Sequence, residues 1–197
     1  MSSLPPFAAV VLAGGRAARL GGQPKPQLDV GGRSMLATVL AAVSDAAPRV
    51  VVGPPQPVPA GVLLVRESPP GGGPVPALAA GLAAAGDAEV VAVLAADLPF
   101  VTVDVVTALR ERLTGDGVLV VDDTGRDQLL LGVWRTAVLR AATAGARPHA
   151  PLRGVLAPLA VRRYRPVVPA GHPAPWTDCD TPAELARARA VRPPAHG

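Results

Sequence analysis

Apolar residues fall in short blocks set apart by glycine, proline and charge, and the blocks are of two kinds. Phe7–Leu12, Arg49–Val52, Val62–Val65 and Val90–Ala95 are almost unbroken apolar runs, the pattern of strands covered on both faces. Between them apolar positions recur at helical spacing. Met35, Leu36, Val39, Leu40 and Val43 predict a helix behind the capping residue Ser34. Gly71-Gly72-Gly73-Pro74 opens an alanine-rich helix through about Ala85, with Pro74 near the first turn, where its missing N–H costs nothing. Thr102 caps a helix whose Val105, Val106, Leu109 and Leu113 form one stripe. Val118–Val121 and Leu129–Trp134 predict a strand pair around Asp122–Asp127, and further helices cover 136–146 and 152–159. Thr181-Pro182-Ala183-Glu184 announces the last helix, a capping box with proline at the first helical position.

Strands alternating with helices predict an α/β fold in one domain, a mostly parallel sheet with helices on both faces. Ligands of such sheets sit outside the carboxyl ends of the strands. Three polar features fall at such ends: Gly14-Gly15, Gly71–Gly73 and Asp97.

Composition narrows the core and the partners. Of 197 residues 49% are apolar but only 3% aromatic, so the core is built from Ala, Val and Leu. No apolar run reaches the ~18 residues of a membrane span, and Met1–Pro6 lacks the basic start of a secretory signal. The single cysteine, Cys179, excludes an internal disulfide and fits a reducing compartment, so the expectation is a soluble cytoplasmic protein. The net charge is +4, and Lys25 is the lone lysine among 19 basic residues. The arginines are scattered apart from Arg162, Arg163 and Arg165, and no aromatics interleave with them as nucleic-acid binding would want. The charge therefore suits a small anionic ligand.

The first loop, Leu12-Ala13-Gly14-Gly15-Arg16-Ala17-Ala18-Arg19-Leu20-Gly21-Gly22-Gln23-Pro24-Lys25, carries the candidate chemistry. Glycines let backbone N–H groups turn toward phosphate oxygens with no Cβ in the way. Arg16, Arg19 and Lys25 can neutralise a triphosphate, the arginines as planar forks and the lysine as a compact point charge. Pro26 after Lys25 excludes a Walker A loop, and no Gly-x-Gly-x-x-Gly follows the first strand. Asp97, at the end of the strongest strand, is placed to hold Mg²⁺, which takes one or two carboxylates plus phosphate oxygens. Asp178 and Asp180, flanking Cys179 ahead of a helix, are each candidates for a second metal contact or for favourable charge at a helix start. Cys179, Trp134 and Trp176 read as packing residues, and His149, His172 and His196 show no zinc spacing.

Taken together, these residues resemble the molybdenum cofactor guanylyltransferase family of the nucleotidyltransferase superfamily. The resemblance runs through Leu12-Ala-Gly-Gly-Arg with Arg19, Gly21 and Lys25, then Gly73-Pro74 with Leu78, then Asp97-Leu-Pro, Gly125-Arg126-Asp127 and Asp178-Cys-Asp-Thr-Pro-Ala-Glu-Leu185. It implies a Rossmann-like three-layer sandwich, a transferase domain over 1–191 and a loose tail over 192–197. It also implies transfer of GMP from GTP to a molybdopterin phosphate with loss of pyrophosphate. Arg19 and Lys25 would hold phosphates and, with Asp97, form the catalytic set. Leu12, Ala13, Gly14, Gly15, Glu67 and Gly73 would cradle the nucleotide, and Asp97 and Asp180 would hold Mg²⁺. Transient contact with cofactor-delivery proteins is implied as well. Gly14 points to guanine, since cytosine-using members read Leu-Ala-Ala-Gly here. Pro24 stands where the family carries an acidic residue, and Asp178 and Asp180 stand where its guanine branch more often has asparagines. A CTP-using or sugar-phosphate-type transferase and a non-catalytic nucleotide-binding module remain the alternatives.

Overall fold

The computed structural model describes residues 4–14, 19–20, 23–147 and 149–191, with Arg19 and Leu20 described in backbone alone. The tail over 192–197 lies outside the described residues. In chain order the strands are β1 (Phe7–Leu12), β2 (Arg19–Leu20), β3 (Gln23–Pro24), β4 (Asp29–Val30), β5 (Arg33–Ser34), β6 (Arg49–Val52), β7 (Val62–Val65), β8 (Val90–Ala95), β9 (Gly117–Val121), β10 (Asp127–Arg135) and β11 (Val161–Tyr164). The helices are α1 (Met35–Ala42), α2 (Pro74–Ala84), α3 (Val103–Glu111), α4 (Thr136–Ala144), α5 (Leu152–Leu156) and α6 (Pro182–Ala190).

Seven strands form one sheet in the order β11-β9-β10-β8-β1-β6-β7. All pairs are parallel except those of β10, which runs antiparallel to β8 and β9. The fold is thus the α/β sandwich the alternation predicts. Alternate residues of β1 show why both faces are apolar. Phe7, Ala9 and Val11 pack with Leu36, Val39 and Leu40 of α1 and Val106 and Leu109 of α3. Ala8, Val10 and Leu12 pack with Leu78 and Leu82 of α2, Leu139 of α4 and Leu152 of α5. Ser34 and Thr102 cap α1 and α3 as expected, accepting hydrogen bonds from the N–H groups of Ala37 and Val105.

Two regions depart from the sequence expectation. β11 (Val-Arg-Arg-Tyr) reads in sequence only as an arginine cluster, yet it pairs in parallel with β9 and closes one edge. Its charge suits an edge strand, which proteins keep polar to prevent further pairing. The helix expected over 152–159 is a single short one, Leu152–Leu156. Among the described residues no helix is long and apolar enough to cross a membrane.

Candidate active site

Main-chain hydrogen bonds continue past the strand ends and lay a floor at the carboxyl edge of the sheet. Ala96 N donates to Leu12 O at 3.0 Å, Ala13 N to Val52 O at 2.7 Å, and Gly53 N to Val65 O at 2.9 Å. The loops after β8, β1, β6 and β7 therefore leave the sheet side by side, where strand order reverses about β1. A cleft of about 590 Å³ opens above them. Leu12, Ala13 and Gly14 line it from β1, Gly53 and Pro54 from β6, Arg66, Glu67, Gly71 and Gly73 from the segment after β7, and Asp97 from β8.

Lys25 enters the cleft from a different side. It opens a 3₁₀ turn, Lys25–Gln27, that is pinned by Gln27 Nε2 donating to Gln56 Oε1 at 3.1 Å. Its side chain is 6% exposed, and its ammonium lies 2.6 Å from Asp97 Oδ2 and 2.5 Å from Asp180 Oδ1. Burial works to lower the pKa of this ammonium. Its hydrogen bonds to Asp180 and Asp97, and their charges, outweigh that effect and raise it above the ordinary lysine value.

Asp180 is placed by the helix that follows it. Thr181 Oγ1 accepts from Glu184 N, while Glu184 Oε2 accepts from Thr181 N at 2.8 Å and from Asp180 N at 2.9 Å. Those bonds hold the Glu184 carboxyl below its ordinary pKa. One residue earlier, Cys179 is fully buried with Leu28, Met35 and Leu185, so the chain on either side of Asp180 is anchored. The cysteine is a packing residue, as the sequence suggests. Asp178 makes no hydrogen bond to Lys25, and it is Asp180 that joins Asp97.

A magnesium ion fits this arrangement on donor chemistry. Two carboxylate oxygens from distant parts of the chain converge on one cationic atom, and Mg²⁺ is held by one or two carboxylates completed by phosphate oxygens and water. Among the described residues no group of three or more His, Cys, Asp or Glu side chains is placed to hold a metal ion.

Of the other expected residues, Glu67 turns its carboxylate back into its own loop, accepting from Gly71 N at 2.9 Å. Gly73 carries φ +97°, which only glycine adopts readily, and caps the N-terminus of α2 with its backbone. Gly15 and the side chain of Arg19 lie outside the described residues, as does Arg16. The sequence reading missed Gly53, Pro54, Arg66, Leu130 and His149, all of which line the cleft. Gly53 was detectable only in three dimensions: a Cβ there would stand 2.9 Å from Ala13 O. Leu130 projects from an irregular stretch of β10 between Gln128 and Gly132, where the pairing register with β9 shifts.

Residues 9–167 match the family described as MobA-like NTP transferase domain. A protein of Mycobacterium tuberculosis named probable molybdenum cofactor guanylyltransferase is 37% identical over 139 residues, 66% of this chain and 69% of that one. Among solved structures, molybdopterin-guanine dinucleotide biosynthesis protein A from Archaeoglobus fulgidus superposes with a TM-score of 0.68 at 20% identity, over 93% of this chain and 97% of that one. The 2-C-methyl-D-erythritol 4-phosphate cytidylyltransferase of Thermus thermophilus superposes with a TM-score of 0.67 at 22% identity, over 92% and 96%. The structural likenesses speak for the fold, and the sequence matches for the family: this chain belongs to the MobA-like NTP transferases.

Proposed function

We propose that the protein is a molybdenum cofactor guanylyltransferase, moving GMP from GTP to the phosphate of a molybdopterin-type acceptor. The observation that carries this reading is the convergence of Lys25, Asp97 and Asp180 on one point at the carboxyl ends of β1 and β8. In the reaction an acceptor phosphate oxygen attacks the α-phosphorus of GTP. The α–β bridging bond breaks, and pyrophosphate leaves with the electron pair. No group of the acceptor needs a strong base, since its phosphate is already anionic near neutral pH. The protein's part is positioning and charge neutralisation.

Each residue then has a defined task. Leu12, Ala13 and Gly14 line the floor of the cleft, where they would orient the nucleotide. Lys25, with Arg19 from the same loop, neutralises the phosphates. Asp97 and Asp180 would hold Mg²⁺, which when bound shields phosphate oxygens and stabilises the leaving pyrophosphate. Glu67, a carboxylate on the cleft wall, can accept from the amino and imino hydrogens of guanine once released from Gly71. Guanine is favoured over cytosine by Gly14, and the homologue named as a guanylyltransferase supports the same choice.

Pyrophosphate release on mixing the protein with molybdopterin and Mg·GTP tests the proposal, with CTP, ATP and UTP run in parallel. GTP-dependent release is the expected result. Release with CTP alone would move the protein to the cytidylyltransferase branch. GTP binding without release would make it a nucleotide-binding module.

A further inference from the structure

His149 is the one non-glycine residue with a positive φ among the described residues, at +62°. A histidine in this left-handed conformation is uncommon and persists only where surrounding contacts impose it. Here they do. Its N–H donates to Gly72 O at 2.8 Å, fastening the loop between α4 and α5 to the glycine segment that opens α2. On the other side of that contact Gly73 has no side chain, and a Cβ built there would stand 3.7 Å from His149 Cα and 4.0 Å from its Nδ1. The backbone is thus held in a strained state that sets an exposed imidazole on the wall of the cleft.

The neighbours of this ring define what it meets. Charge enters the cleft from Lys25 ahead of α1, Asp97 at the end of β8, Asp180 ahead of α6, and Arg66 and Glu67 after β7. His149 belongs to the opposite face of the sheet, with α2, α4 and α5. The cleft lining includes Gly73, Pro74, Ala77 and Leu130, which offer flat or small apolar surface, and the Glu67 carboxylate, held at Gly71 N in the same glycine segment. A planar ring with polar edges beside such a wall suits another planar ring, which it can stack on and hydrogen-bond at the rim.

We propose that His149 is a ring-contact residue, packing against a flat heteroaromatic group of a bound substrate. The inference rests on the nucleotidyltransferase reading of the cleft. That reaction brings two such rings, the purine of GTP and the pterin of the acceptor, which share the same amino-oxo pyrimidine edge. The strained backbone of residue 149 then has a use: it keeps the residue beside Gly73 at the edge of the cleft.

The test is equilibrium binding of GTP, inorganic triphosphate and pterin-6-carboxylate, each with Mg²⁺, to wild type, His149→Gly and His149→Phe. Glycine adopts a positive φ freely, so His149→Gly removes the ring without disturbing the loop. The expected result is a loss of about tenfold in affinity for GTP or for the pterin, near 1.4 kcal/mol, with triphosphate binding unchanged. Which ligand weakens identifies the ring, and His149→Phe should recover part of the loss because stacking survives. Unchanged affinity for both ring ligands, or equal loss for triphosphate, would overturn the contact. Wild type that binds neither GTP nor triphosphate would overturn the reading of the cleft itself, and this contact with it.

Discussion

Lys25 and Asp97 are 72 residues apart in the chain, and the ammonium of one lies 2.6 Å from Oδ2 of the other. Asp180 adds a second carboxylate at 2.5 Å. The lysine therefore serves as the counter-ion of the pair of carboxylates that suits a metal ion. A divalent cation arriving alone must displace a buried ammonium, whereas one arriving with a triphosphate brings anionic oxygens to which Lys25 can turn. Lys25→Met should thus bind Mn²⁺ more tightly than wild type in the absence of nucleotide, by about tenfold or more given the strength of a close charge pair near a protein surface. It should also bind triphosphate more weakly and lose turnover. Mn²⁺ titration followed by electron paramagnetic resonance reads the first effect directly. Equal Mn²⁺ affinity in both proteins would mean that the lysine does not compete for the site.

Asp97 separates the metal role from the structural one. Asp97→Ala should abolish pyrophosphate release while GTP still binds through the backbone of the β1 loop. Lys25 keeps Asp180 as a partner in this variant, so its charge is not left unpaired, and the folded state should survive. The checks are turnover, circular dichroism and thermal unfolding. Near-normal turnover in a folded variant would sink the assignment of Asp97.

Much of this was legible in the sequence, and the reasons differ between fold and site. Strands such as Phe7–Leu12 and Val90–Ala95 are buried on both faces, so their apolar runs have sharp ends that coincide with the observed ones. Caps such as Ser34, Thr102 and Thr181 act through bonds to residues three positions away and can be read locally. β11 escaped because an edge strand pairs on one side only and tolerates arginines. In the site, Lys25, Asp97 and Asp180 could each be singled out by position, but not their meeting, which depends on the sheet order bringing β8 beside β1. His149 and Gly53 carried no local signal at all, since both are defined by the backbone that approaches them.

Asp178 is expected to act on stability in a pH-dependent way. Its carboxyl is partly withdrawn from water, and the charges of Asp180 and then Asp97 add to that effect, so its pKa is raised above the ordinary aspartate value. A carboxyl whose pKa is raised by folding favours the folded state only while protonated, and that contribution is lost as pH rises through the raised value. At neutral pH the charged form is therefore a liability. Asp178→Asn should be more stable than wild type near pH 7, and the gain should shrink as the pH falls toward the ordinary aspartate range. Urea unfolding across that range measures it, and a gain independent of pH would exclude the electrostatic cause.

Cys179 should be chemically silent in the native protein. It is fully buried, and burial, only partly offset by Lys25, raises its thiol pKa from 9.0 to about 11. Thiolate is the reactive form, so a thiol-specific chromogenic reagent at mildly alkaline pH should label the protein only after denaturation. The same shift implies that stability falls as pH rises from 9.0 toward about 11, because the unfolded chain releases this proton first. Rapid stoichiometric labelling of folded protein would show that the loop before α6 opens, and with it the support of Asp180.

Gly81 tests how closely the alanine-rich helix must approach the sheet that carries the site. It lies within the alanine-rich helix α2. In the fold, a Cβ at this position would stand 2.9 Å from Val52 Cγ2 and overlap Val10 Cγ1. Both neighbours are buried side chains of adjacent central strands, with no room to retreat. Gly81→Ala would gain helix propensity, by about 1 kcal/mol, but overpacking a close-packed core costs typically ~1–3 kcal/mol, and the clash involves two side chains. Net destabilisation is therefore expected. Because β1 and α2 both end on the cleft, a loss of GTP affinity should accompany the lower unfolding midpoint. A variant as stable as wild type would mean that α2 can shift outward freely.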